Sequence, residues 1–114
     1  MKNGVKQSEK ELVKVIIDYL LLKGCYVWIN DTVGIYDKER GVWRRRRHNS
    51  YKPLGISDVI GLTKEGRFVA IEVKTPEGHS PTETQKAFLK RVEENQGIAF
   101  IARSLEDVEN AFPI

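Results

Sequence analysis

Apolar residues recur along this chain with two different periods. At Leu12, Val13, Ile16, Ile17 and Leu20 the spacing is that of one helical face. Ser8-Glu9-Lys10-Glu11 precedes it in the form of a capping box, with Ser8 as N-cap and Glu11 reaching back, so a helix is expected to about Lys23, ended by Gly24. Cys25–Asn30 then reads as a strand, followed by two short strands, Gly34–Tyr36 and Val42–Arg46, around a turn at Asp37–Gly41. Further on, two short apolar runs, Asp58–Thr63 and Arg67–Lys74, flank Lys64-Glu65-Gly66. They read as a β-hairpin with a three-residue loop, Gly66 taking the left-handed position. Ser80-Pro81-Thr82-Glu83 is a second capping box, with Ser80 as N-cap and proline first in the helix, which should run to about Asn95 and end at Gly97. Ile98–Ala102 is a short apolar strand of the kind that joins a parallel sheet. Ser104 and Asp107 cap a last helix, ended by Pro113.

That order gives one α/β domain over residues 1–114 with a mixed central sheet. On the hairpin both faces are apolar: Ile60, Leu62, Phe68 and Ala70 on one side, Val59, Val69, Ile71 and Val73 on the other. A sheet covered by helices above and below is implied.

Register now brings chemistry into view. If the hairpin centres on Glu65, Asp58 stands opposite Glu72, and alternation keeps Lys74 on the same face. Two carboxylates and an ammonium then meet at one end of a central sheet. Unpaired carboxylates there would carry a large desolvation cost, one lysine supplies a single positive charge, and a metal ion would neutralise the rest. Oxygen ligands suit Mg²⁺ or Mn²⁺. The alternative is a strand-start cap at Asp58 and an ordinary Glu72–Lys74 alternation. Two polar residues fall on helical stripes near apolar neighbours. Glu9 lies three and four positions before Leu12 and Val13, and Gln85 three, four and seven before Phe88, Leu89 and Val92. Glu9 either reaches an interior site or merely complements the helix dipole.

Composition refines the picture in two places. The net charge is +3, and Trp43-Arg44-Arg45-Arg46-Arg47-His48, followed by Tyr51 and Lys52, is the most concentrated positive stretch. In an extended segment Arg44 and Arg46 face one way and Arg45 and Arg47 the other, which suits phosphate contacts and stacking but also a solvated strand that blunts a sheet edge. A single cysteine, Cys25, excludes an internal disulfide and fits a reducing cytoplasm. No long apolar core of a signal peptide and no membrane span is readable.

The early helix with Ser8-Glu9, Gly55-Ile56-Ser57-Asp58, Ile71-Glu72-Val73-Lys74, Ser80-Pro81-Thr82-Glu83-Thr84-Gln85 and the Gly97-Ile98-Ala99-Phe100-Ile101 strand together resemble the PD-(D/E)XK nuclease superfamily. Within it the chain is most similar to stand-alone VRR-NUC (virus-type replication-repair nuclease) domains of phages and bacteria, from about Ser8 to Phe112. The resemblance implies a restriction-endonuclease-like αβββαβ core with the site where central strands split. It makes Asp58, Glu72 and the Val73 carbonyl metal ligands, Lys74 the catalytic lysine and Gln85 a supporting residue, while Glu9 matches a helix-1 acid of related junction resolvases. Ser57 departs from the superfamily's proline. The implied activity is metal-dependent DNA cleavage by a homodimer, on four-way (Holliday) junctions, in a bacterial or phage-infected cytoplasm. The first helix, apolar on more than one face, is a candidate dimer interface. A non-catalytic DNA-binding module gripping phosphates through Arg44–Arg47, and a duplex or flap nuclease within a larger complex, remain alternatives.

Overall fold

The structure, a computed structural model, describes residues 7–30, 35–44 and 53–112, with the side chains of residues 35, 36, 43 and 44 left aside. Helix α1 (Glu9–Leu22) is followed by strands β1 (Tyr26–Ile29), β2 (Ile35–Asp37), β3 (Val42–Arg44), β4 (Val59–Leu62) and β5 (Phe68–Val73). Helix α2 (Glu83–Glu94), strand β6 (Ile98–Ala102) and helix α3 (Leu105–Ala111) complete the order. The main sheet runs β1-β4-β5-β6, antiparallel except for the parallel β5–β6 pair, and β2–β3 form a separate antiparallel hairpin. Leaving that hairpin out, the order is α-β-β-β-α-β plus a terminal helix. This is the α/β, restriction-endonuclease-like arrangement expected from the sequence.

The hairpin register holds as read. Val59 pairs with Ile71 and Leu62 with Phe68, and the Thr63 amide donates to the Arg67 carbonyl across the turn at 2.8 Å. Gly66 sits at φ +87°, where an L side chain is strained. Alternation sends Val59, Val69, Ile71 and Val73 to one face, all fully buried with Leu12, Ile16 and Leu20 of α1 and Val108 of α3. Removing that much apolar surface from water drives the fold.

The other face departs from expectation. Helix α2 packs there against β5 and β6 and buries Ala70 and Leu89, but Leu62 and Phe68 stay 40% and 37% exposed. A helix is about 10 Å across and neighbouring strands lie about 4.8 Å apart, so one helix covers about two strands, here β5 and β6. Helix α2 also begins two residues later than expected. Its N-cap is Thr82, not Ser80. The sequence holds two overlapping boxes, Ser80…Glu83 and Thr82…Gln85, and the second wins because its third-position residue also finds a partner on the sheet.

Candidate active site

Asp58 and Glu72 meet where β4 and β5 part. The ladder between them ends at Val59–Ile71, while β5 continues for two residues alongside β6. Beyond that point the Val73 amide donates to Asp58 Oδ2 at 2.8 Å, so the aspartate side chain replaces a backbone acceptor. The Asp58 carbonyl in turn accepts from the Asn30 amide of the strand on the other side, at 2.8 Å. Asp58 is thus fixed from both directions, which leaves one carboxylate oxygen, Oδ1, outside these bonds.

Glu72 is 2% exposed. Its Oε2 accepts from Gln85 Nε2 at 2.9 Å, and Lys74 Nζ lies 3.6 Å from the same oxygen. Its Oε1 is buried without a hydrogen-bond partner. Burial and the neighbouring Asp58 charge push the Glu72 carboxyl up to about 7, against the opposing pull of Lys74. Lys74 is itself largely covered, and its amide donates to the Ala102 carbonyl at 3.0 Å. The Arg103 guanidinium holds the next carbonyl, that of Thr75, at 2.8 Å. The segment leaving β5 is therefore tied to the β6 end.

Gln85 links this cluster to the start of α2. Its Oε1 accepts from the Thr82 amide at 2.8 Å and its own amide donates to Thr82 Oγ1 at 3.2 Å. Gly55 lets the approach to Asp58 lie directly against that turn. At φ +72°, a Cβ there would come within 2.5 Å of the Thr84 carbonyl group. Gly55 opens the Gly55–Asp58 motif and Thr82 lies within Ser80–Gln85, but the sequence assigns neither a role in the site; the Thr82…Gln85 spacing is the available signal for the second.

The structure thus brings Asp58, Glu72, Val73, Lys74 and Gln85 together. Glu9 is different. It is exposed, and the buried stripe of α1 begins at Leu12, so the inward orientation expected for Glu9 does not hold. As the first helical residue it sits among free N–H groups and favours solvent and the positive end of the helix. Of the basic stretch, Arg44 lies on β3 with only its backbone described, and Arg45, Arg46, Arg47 and Lys52 lie outside the described residues. Ser57, in the proline position, is fully buried with its hydroxyl unpartnered.

Among the described residues no group of three or more His, Cys, Asp or Glu side chains is placed to hold a metal ion. A magnesium-type site needs fewer, because such ions keep waters and take one or two carboxylates plus substrate phosphate. A buried, partnerless Glu72 Oε1 beside a second carboxylate fits an oxygen-liganded divalent cation. No helix among the described residues is long and apolar enough to cross a membrane.

A family model described as the VRR-NUC domain matches residues 30–106. That span contains Asp58, Glu72, Lys74 and Gln85, and begins after Glu9. Compared with curated proteins and with solved structures, the chain finds no match in either.

Proposed function

The chain belongs to the VRR-NUC domain family, a nuclease-type domain whose substrate is DNA, and from that premise we propose that it is a divalent-metal-dependent, structure-selective DNA endonuclease. The observation that carries this reading is the buried Glu72 beside the half-buried Asp58, with one Glu72 oxygen left without a partner. In the proposed reaction Asp58, Glu72 and the Val73 carbonyl would hold Mg²⁺ or Mn²⁺. The bound ion would acidify a water and neutralise phosphate charge. Lys74, largely shielded from solvent, donates to a phosphate oxygen or orients the attacking water. Gln85 keeps Glu72 facing Asp58 by occupying Oε2 and leaving Oε1 free. The substrate geometry carried over from the family is a four-way junction met by a homodimer, because two symmetric nicks need two sites.

The test is cleavage of a panel of duplex, flapped and four-way DNAs with and without Mg²⁺ or Mn²⁺. Asp58→Ala and Lys74→Ala should abolish cleavage while binding and folding stay near wild type. A wild-type rate in either variant, with metal present, overturns the assignment. Cleavage of duplex and junction at equal rates overturns the structure selectivity alone.

A further inference from the structure

The half of the sheet that α2 leaves uncovered carries side chains the proposed reaction does not use. By register, Tyr26 and Trp28 of β1, Ile60 and Leu62 of β4, and Phe68 of β5 share the face that carries Glu72. Tyr26 is 69% and Trp28 44% exposed. Their rings meet edge to face with centroids 5.5 Å apart. Both are mounted on backbone that is paired along its length with β4, so the rings start from a fixed base rather than from a loop. A contiguous apolar face of this kind marks a contact surface.

The face runs directly into the acid pair. Trp28 pairs with Ile60, two positions from Asp58, and Tyr26 with Leu62, four positions away. At about 3.3 Å per residue these rows lie roughly 7 and 13 Å from the Asp58–Glu72 row. That is a reach of one and two nucleotides along an extended strand. Among the described residues, register places no charged side chain on this face between Tyr26 and the acid pair. The stretch therefore suits the flat apolar surface of a base rather than a phosphate.

We propose that Tyr26 and Trp28 form a stacking platform for unpaired nucleobases beside the cleavage site. The proposal rests on DNA being the substrate. Every base has a π-face, so stacking on aromatic side chains tolerates sequence, but a base within a duplex has both faces covered by its neighbours. Only a flap, gap or junction offers a free one. The platform thereby supplies a physical source for selection of DNA structure over sequence. Tyr26 and Trp28 also precede the residues matched by the family model, so the platform is a feature of this chain's own N-terminal part.

The experiment uses the full chain without divalent metal, so that binding is read apart from cleavage. Trp43→Phe leaves Trp28 as the single tryptophan. Its fluorescence is followed while a blunt duplex, the same duplex with a single-stranded flap, and the single strand alone are titrated in. Quenching by the flap and the single strand, but not by the duplex, is expected. Read by the fluorescence anisotropy of end-labelled probes, Tyr26→Ala and Trp28→Ala should each weaken flap binding about tenfold and leave duplex binding unchanged, with Trp28→Phe restoring most of the loss. Equal losses on all three probes, or no quenching, overturn the platform. So does a variant that changes only the oligomeric state in sedimentation, which would assign the face to a second copy. If the wild-type protein cuts no DNA with Mg²⁺ or Mn²⁺ yet Trp28 separates the probes, the nuclease reading fails and the platform stands. If it cuts and Trp28→Ala leaves flap and duplex binding both unchanged, or lowers them by the same factor, the platform fails and the nuclease reading stands.

Discussion

The N-termini of α1 and α2 are closed by the same device. Ser8 Oγ accepts from the Glu11 amide at 3.1 Å while Glu11 accepts from the Ser8 amide at 2.9 Å, and Thr82 and Gln85 repeat the pattern at 3.2 and 2.8 Å. The difference is the third-position residue. A glutamate there can only accept, so Glu11, having taken the Ser8 amide, has no donor to offer a carboxylate. A glutamine accepts and donates. Gln85 uses its oxygen for the cap and its nitrogen for Glu72. One atom type converts a local stop signal into a bridge between a helix start and a buried carboxylate.

Acidity separates the two ends most. Hydrogen bonds from Ser8 hold the Glu11 carboxyl below its ordinary value, so its contribution is present above the ordinary carboxylate range and lost on acidification. Glu72 runs the other way, from 4.5 in the unfolded chain to about 7 in the fold. Between those values the native state binds the extra proton, and stability falls as pH rises. The expected loss in metal-free protein between about pH 4.5 and 7 is at most about 3 kcal/mol, read by urea unfolding across that range. Glu72→Gln should remove the slope. A slope that survives in Glu72→Gln would place its origin elsewhere in the molecule.

The next effect is smaller and isolates the bridge. Ser8→Ala removes a cap alone and should cost about 1 kcal/mol. Gln85→Ala keeps the Thr82 cap but removes the return bond of its box and a hydrogen bond to a buried carboxylate, and should cost about 2 kcal/mol, with a fall in DNA cleavage that Ser8→Ala does not share. Equal costs and unchanged cleavage in both variants would reduce Gln85 to a second Glu11.

What was legible in the sequence follows the same division. The hairpin could be read because a three-residue loop ending in Gly66 fixes its register, and register fixes Asp58 opposite Glu72. The start of α2 is not legible because two boxes overlap, and the choice between them depends on a carboxylate ten residues upstream of the cap, brought near only by folding. The open half of the sheet was equally hidden. Leu62 and Phe68 carry the alternation of buried strand residues, and nothing local states that α2 packs mainly on β5 and β6. The basic stretch from Arg45 to Lys52 lies outside the described residues.

Glu9 marks where helical periodicity alone stops being informative. Its spacing from Leu12 and Val13 matches that of Gln85 from Phe88 and Leu89, yet Glu9 is exposed and Gln85 is bound to Glu72. Periodicity gives the direction of a side chain around the helix, not whether the helix still has a neighbour at that height. Gln85 is the third residue of α2 and has β5 beside it, whereas Glu9 is the first of α1, and the buried part of that helix starts three residues later at Leu12. Glu9→Gln should therefore change stability by no more than a few tenths of a kcal/mol, the scale of a charge at an exposed helix start, and should leave cleavage within about twofold of wild type. Cleavage reduced tenfold or more at unchanged stability would bring α1 into the site, because the lost group would then be acting on substrate or metal and not on the helix dipole.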